Sequence, residues 1–416
     1  MNKVKFGSLF QIPLRNGVYI KSDLHGAGTK IVNMGELFSF PFISNQPMPR
    51  VQLSESEKAT SLLEDGDLLF GRRSLVESGA GKCTIIMNPS EALTFESSLI
   101  RVRLDKSKAY PLFYYYWFKS PIGRATIHTL VTGSNVKGIK GSELKEIEVD
   151  YPLLELQKKI ANTLFLFDTK LKINNTISAQ LESLAKTIYD YWFLQFEFPN
   201  EEGKPYKSSG GKMVWNEELK KEIPEGWEVN ELCKVFDITM GSSPKGESLN
   251  ENHEGIEFYQ GSTDFGDLYP VQRVYTTAPV RLAKAQDILI SVRAPVGDMN
   301  IAMNDCCIGR GLAAVHYRSS LYTWNTLLTL KPYFDIFNGT GTTFGALTSD
   351  GLKQQHIVKP SNIIIEKYIS RISKIELKLR TITIENQQLT SLRDFLLPLL
   401  MNGQVTFKDE ATSEEE

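Results

Sequence analysis

Two long amphipathic stripes constrain this chain more than any other feature. After Pro152, apolar residues recur at Leu153, Leu156, Ile160, Leu164, Phe167, Leu171, Ile177, Leu181, Leu184 and Ile188, mostly in steps of three and four. After Pro360 the pattern returns at Ile364, Tyr368, Ile372, Ile375, Leu379, Ile382, Leu389, Leu392 and Leu396. A mean step of roughly 3.5 is the coiled-coil period. A helix of about 40 residues spans roughly 60 Å at 1.5 Å per residue. One such helix cannot hide its stripe alone, whereas two in one chain can pack on each other. Asn174 is the one polar residue in the first stripe. A water-bridged position and a register-fixing device both account for it.

The stripes belong to a wider repeat at an offset of 208 residues. Gly133-Ser134 matches Gly341-Thr342, Leu144 matches Leu352, Pro152 matches Pro360, and Leu171, Leu181 and Leu184 match Leu379, Leu389 and Leu392. Earlier in each half the offset grows, since Asp67-Leu68-Leu69-Phe70 resembles Asp287-Ile288-Leu289-Ile290. The layout is module, helix, module, helix. A pseudo-twofold relation between the halves makes the helix pairing antiparallel. The modules read as mixed α/β, with short buried strands at Asp67–Phe70, Cys83–Met87, Leu99–Leu104 and Asp287–Val292. The aromatic run Tyr110–Phe118 is expected in a core. The polar stretch from Asn200 to Pro224 reads as a linker.

The fold class expected is therefore α+β, with two mixed α/β domains separated by two long helices in an antiparallel coiled coil. The boundaries expected are 1–152 and 224–360 for the two domains, 153–199 and 361–403 for the helices, 200–223 for the linker and 404–416 for an acidic tail. A chain of 416 residues, 41% hydrophobic and 23% charged, is long enough for several full cores. Its net charge of −2 does not announce a nucleic-acid binder. The charge is unevenly spread: Met1 to Pro152 carries 19 basic and 15 acidic residues, Pro224 to Pro360 carries 11 and 15. If both modules bind nucleic acid, the second must do so with a small local basic patch or with a partner's charge.

No chemical engine is legible. Gly79-Ala80-Gly81-Lys82 evokes a phosphate loop, but Val76 stands where the first glycine belongs and Cys83 where Ser or Thr belongs. Gly26-Ala27-Gly28 lacks the third glycine of a dinucleotide loop. The five histidines have no metal-ligand spacing, and no Asn-Pro-Pro-aromatic or Asp-Pro-Pro-aromatic tetrapeptide marks an amino-methyltransferase. Cys83, Cys233, Cys306 and Cys307 form no Cys-x-x-Cys pair and read as reduced thiols, giving a cytoplasmic expectation. No signal peptide or membrane span is evident.

Six segments carry a family resemblance. Leu156-Gln157-Lys158-Lys159-Ile160-Ala161 opens the first long helix. Gly203-Lys204-Pro205-Tyr206-Lys207-Ser208-Ser209-Gly210-Gly211 is followed by Ile223-Pro224-Glu225-Gly226-Trp227. Gly241-Ser242-Ser243-Pro244, Gly309-Arg310-Gly311-Leu312 and Gly339 to Thr343 complete the set. In this order they resemble the specificity subunits of type I restriction-modification systems. The first half departs, having no Pro-x-Gly-Trp opening. The resemblance implies a non-catalytic subunit with two target-recognition domains, each reading half of a split site in double-stranded DNA. It also implies helices that hold the domains apart and dock two methyltransferase subunits. No cofactor is expected on this chain. S-adenosylmethionine is expected on the methyltransferase, and ATP and magnesium on a motor-nuclease subunit. A stand-alone DNA-modifying enzyme and a scaffold that binds only proteins are the rival readings.

Candidate DNA contacts follow from paired loops. Arg72, Arg73 and Ser74 follow one expected strand, and Arg293 stands three residues past Ile290 in the other half. Basic residues there suit phosphates or guanine edges. Ser134, Asn135 and Lys137, with Thr342 and Thr343, lie in small hydroxyl-rich loops. Arg310 lies between two glycines, with Glu96 as its rough counterpart, and Ser243, Lys245 and Gln260 are added from loop context.

Overall fold

The computed structural model describes residues 2–338 and 345–407. The chain divides into two compact units, Met1–Ile173 with Gln387–Glu416, and Asn174–Asn386. Two long helices, α1 (Leu154–Tyr189) and α2 (Asn362–Met401), each contribute residues to both.

In the first unit a five-stranded sheet runs in the order Arg15–Asn16, Leu99–Val102, Leu68–Gly71, Cys83–Ile86, Phe42–Ile43. Leu68–Gly71 is buried throughout because both of its faces are covered. Successive side chains point to opposite faces. Leu68 and Phe70 join Phe6, Ile85 and Ile100 in one core, while Leu69 joins Ile86, Phe95 and Leu99 in another. The aromatic run forms a helix, Pro111–Lys119, opened by a proline whose fixed φ suits the first helical position. Leu112 through Phe118 are all buried, so the run is core, as its density implied. Trp117 Nε1 donates to Asp150 Oδ2 (2.9 Å), and the Tyr114 hydroxyl donates to the Asp150 carbonyl (3.2 Å).

Both long helices complete this core. Ile160, Ala161 and Leu164 of α1 pack in it together with Leu400 and Met401 of α2. Gln157 Oε1 accepts from the Tyr110 backbone N–H (2.8 Å). The buried Asp168 accepts from Arg393 Nη1 (2.7 Å) on one oxygen and from the Tyr116 hydroxyl (2.7 Å) on the other.

The second unit carries a four-stranded antiparallel sheet in the order Asp237–Met240, Leu312–His316, Ile288–Ser291, Met299–Ile301. A five-stranded sheet centred on Ile256–Tyr259 and Cys306–Ile308 lies in the same unit. Tyr189, Trp192 and Phe193 share its main core with Trp227, Tyr322 and Tyr368. Glu376 of α2 caps the helix Ser320–Leu328, accepting from the Ser320 backbone N–H (2.6 Å). A carboxylate there meets the positive helix end.

The stretch expected as a linker, 200–223, is built into this unit. Met213–Asn216 pairs antiparallel with Lys221–Pro224, and Tyr206 stacks on Phe198 at 4.5 Å. Its polar composition conceals apolar anchors, since Met213, Val214, Leu219 and Ile223 all pack on the core. α1 carries the stripe to its last apolar residue, Ile188, and closes in one widened turn at Asp190–Leu194, short of the expected bound at 199.

The stripes hold in part. Ile160 and Leu164 of α1 are buried, as are Tyr368, Ile372, Leu379 and Ile382 of α2. Leu153, Leu184 and Leu392 are instead exposed, at 83%, 48% and 47%. Polar residues take some of the buried positions. Asn174 is 2% exposed, and its Nδ2 donates to Glu385 Oε2 and Asn386 Oδ1, both at 2.9 Å. Side chains, not bulk water, satisfy it.

Candidate nucleic-acid interface

In the first unit the candidates gather where the strand Leu68–Gly71 ends. Arg72 N donates to Ser98 O (2.7 Å), and Arg72 O accepts from Ile139 N (3.0 Å). These bonds pin the chain as it leaves the sheet. Arg73–Ser74 then pairs antiparallel with Lys137–Gly138, Lys137 facing Ser74. Two loops far apart in sequence thus become one structure. Arg73 is exposed, with no ion-pair partner among the described residues. Arg72 is half-buried and leans on the Ser97 carbonyl (3.3 Å). Ser134 and Asn135 are exposed at the tip of the loop closed by the Thr132–Gly138 bridge. Gly133 has φ +106°, and a Cβ there would meet Val136 O at 2.1 Å, so the turn demands glycine.

Ser74 departs from expectation. It is buried, and its Oγ accepts from the Val76 backbone N–H (3.1 Å), because a short turn needs that acceptor more than solvent does. Two cations not expected at this site come to the same sheet end. Lys82 precedes the strand Cys83–Ile86, its carbonyl accepting from Gly71 N (2.9 Å). Arg124 donates to the carbonyls of Gly81 and Ser78, both at 3.4 Å. Burial and the Arg124 charge both lower the Lys82 pKa. The signal in the sequence was Gly79-Ala80-Gly81-Lys82, set aside with the phosphate-loop reading.

The second unit repeats this geometry within itself. Val292 N donates to Gly311 O (2.9 Å), and Val292 O accepts from Leu347 N (2.9 Å). Arg293 follows, exposed, at the position Arg73 holds after its strand. The strand registers Leu99 with Gly71 and Leu312 with Ser291 set Arg310 against Ser97, rather than against Glu96. Arg310 is exposed between glycines for a steric reason. A Cβ on Gly309 or on Gly311 would come within 2.6 Å of Gln260 atoms. Ser243 Oγ donates to Gln260 Oε1 (2.8 Å) and lies 3.4 Å from the Arg310 backbone N–H, so these three residues meet. Lys245 is exposed and stands 3.9 Å from Glu247. Thr342 and Thr343 lie outside the described residues.

Several carboxylates of this unit are engaged internally. Glu257 is buried and accepts from the Tyr259 hydroxyl, Gln272 and Asn304. Asp264 pairs with Arg273 (2.9 Å) and Asp287 with His316 (2.5 Å). Neither Arg293 nor Arg310 has an ion-pair partner among the described residues.

Residues 1–183 and 224–392 match the type I restriction modification DNA specificity domain. The chain belongs to this family. The chain is 31% identical over 403 residues to a putative type I restriction enzyme specificity subunit, MjaX, of Methanocaldococcus jannaschii, covering 95% of this chain and 91% of that one. It is 26% identical over 393 residues to the MjaIX specificity subunit of the same organism, covering 89% and 85%. The crystal structure of the type I restriction-modification S subunit from M. genitalium shares the fold, with TM-score 0.61 at 17% identity over 98% of this chain and 96% of that one. The chain is thus a DNA specificity subunit of a type I restriction-modification system. Among the described residues no helix is long and apolar enough to cross a membrane. Nor does any group of three His, Cys, Asp or Glu among them stand ready to hold a metal ion.

Proposed function

We propose that each unit reads one half of a split DNA site, with Arg73 and Arg293 as corresponding contacts. The observation that carries this reading is the shared backbone frame. Arg72 N to Ser98 O with Ile139 N to Arg72 O matches Val292 N to Gly311 O with Leu347 N to Val292 O. In each case an exposed arginine comes next. Arg72, Lys137, Ser134, Asn135, Lys82 and Arg124 surround the first. The Val292–Gly311 bond brings Arg310 near the second, with Ser243 and Gln260 meeting Arg310 and Lys245 two residues beyond Ser243.

The same frame supports a pseudo-twofold duplication. Lys3–Lys5 pairs with Glu148–Asp150, and Glu228–Glu231 with His356–Lys359, both antiparallel. His25–Val32 runs parallel to Leu93–Phe95, and Ile256–Tyr259 parallel to Cys306–Ile308. α1 and α2 then form an antiparallel coiled coil, whose length sets the gap between half-sites. Asn174 fixes its register. Two methyltransferase subunits dock on this chain and carry S-adenosylmethionine. ATP and magnesium belong to a motor-nuclease subunit, and the chain itself catalyses nothing. Four free cysteines fit a reducing, cytoplasmic setting.

The test is a genome-wide map of methylated adenines in cells carrying this chain and its methyltransferase partner. A split sequence with a fixed gap is expected. A continuous recognition sequence would overturn the reading, and so would robust methylation by the isolated chain.

A further inference from the structure

Leu75 is 85% exposed, and Val76 beside it 52%. Both sit on the turn that leaves Arg73–Ser74. The register of Lys137 with Ser74 and Gly138 with Arg73 carries Val136, itself 47% exposed, across from Leu75. Water thus meets a small apolar tip. The tip is firmly held. Ser74 Oγ accepts from Val76 N (3.1 Å), and Gly79 N donates to Val76 O (3.1 Å). Around it stand Arg73, Lys137 and Arg124. The carboxylate of the same turn, Glu77, is engaged by His128 at 2.7 Å. An apolar tip on a rigid turn, ringed by cations, matches an anionic partner that offers one apolar feature.

We propose that Leu75 is a specificity-determining residue whose side chain packs on the 5-methyl group of a thymine in the half-site read by the first unit. This rests on the split-site reading above. Charge complementarity selects DNA, because the ring of cations suits phosphates. Among the base-pair edges of the major groove, the thymine methyl is the apolar mark, and side-chain carbon reads it by contact. Arg73, two residues away, is placed to fix the turn on the backbone or on a neighbouring guanine. The corresponding turn of the second unit carries the exposed Pro295 in place of Leu75. Its ring lacks the free isobutyl reach of leucine, so the methyl contact belongs to the first half-site alone.

The experiment uses the full chain assembled with its methyltransferase partner and duplexes bearing the methylation-mapped site. Each thymine is replaced in turn by deoxyuridine, which lacks only the methyl. Wild type is expected to lose about fourfold in affinity at one position of the first half-site, the burial of one methyl group. Leu75→Ala is expected to bind the unmodified site about as weakly as wild type binds that deoxyuridine duplex. The variant is expected to be indifferent to the replacement, the signature of a direct contact in a double-mutant cycle. Its melting temperature stays within about 1 °C of wild type, because an exposed leucine contributes little to folding. If wild type binds its site specifically yet no thymine of the first half-site shows a methyl effect, the assignment falls and the split-site reading stands. It falls likewise if Leu75→Ala keeps the methyl effect, or loses only its assembly with the methyltransferase. If the wild-type complex does not prefer its mapped site at all, both readings fall.

Discussion

Arg393 lies near the end of α2, far in sequence from the first module, and its removal should destabilise that module. Its guanidinium donates to Asp168, whose side chain is 7% exposed and also takes the Tyr116 hydroxyl. Arg393→Ala leaves a buried carboxylate with one neutral donor. Lys119, whose pKa burial lowers despite the nearby Asp168, is the remaining cation. Breaking a buried pair from one side costs about 3–5 kcal/mol. The Arg393 side chain keeps 23% of its surface in water, which places the expected loss near the lower bound, about 3 kcal/mol. For a unit of this size each kcal/mol shifts the melting temperature by about 2–4 °C, so calorimetry should record a fall of roughly 6–12 °C. The fall should persist in 1 M salt, since buried pairs are poorly screened. Peptide-resolved hydrogen exchange should place the lost protection in residues 1–173, not in 174–386. Asp168→Leu with Arg393→Met should recover most of the loss, because apolar replacement of a buried pair is often neutral or better. A melting temperature unchanged in Arg393→Ala, or a double variant as unstable as the single, would refute the reasoning.

Arg73→Ala is expected to weaken one half-site by roughly 1–3 kcal/mol if it reads a base, and Arg293→Ala the other, with additive effects measured on duplexes mutated in each half. A phosphate contact would instead lower the salt dependence of binding without changing sequence preference. Four residues inserted in α1 near Asn174, with four in α2 near Glu385, lengthen each helix by about 6 Å. Methylation mapping should then show the same half-sites with a gap longer by about one or two base pairs. A thiol reagent at pH 8 should label Cys233 alone in the native chain and all four cysteines after unfolding, because Cys83, Cys306 and Cys307 are buried and burial pushes the Cys83 and Cys306 thiols up.

The long helices were legible because apolar spacing is a local signal that survives in one dimension. What the spacing did not reveal is which face each residue meets. Leu184 fits the stripe yet is exposed, while Asp168 and Asn174 are buried because partners about 210 to 225 residues away satisfy them. The 200–223 stretch misled for a similar reason: a few apolar anchors outweigh many glutamates and lysines once a hairpin turns them to one side. At the candidate interface the arginines after each strand were readable from repetition. The inward turn of Ser74 and the arrival of Arg124 were not, since both depend on turn geometry and on helix placement.

The first unit is assembled from two stretches of chain separated by the whole of the second, and this bears on how the protein is made. Residues 1–173 leave the ribosome early, but their core lacks Leu400 and Met401, and Asp168 lacks Arg393, until those later residues have been made. At about 5–20 residues per second the wait is roughly 10–45 seconds. The second unit is a single continuous stretch and closes first. The module synthesised first is therefore the last to finish folding, and in the interval its open core and unpaired Asp168 are what a nascent-chain chaperone would meet.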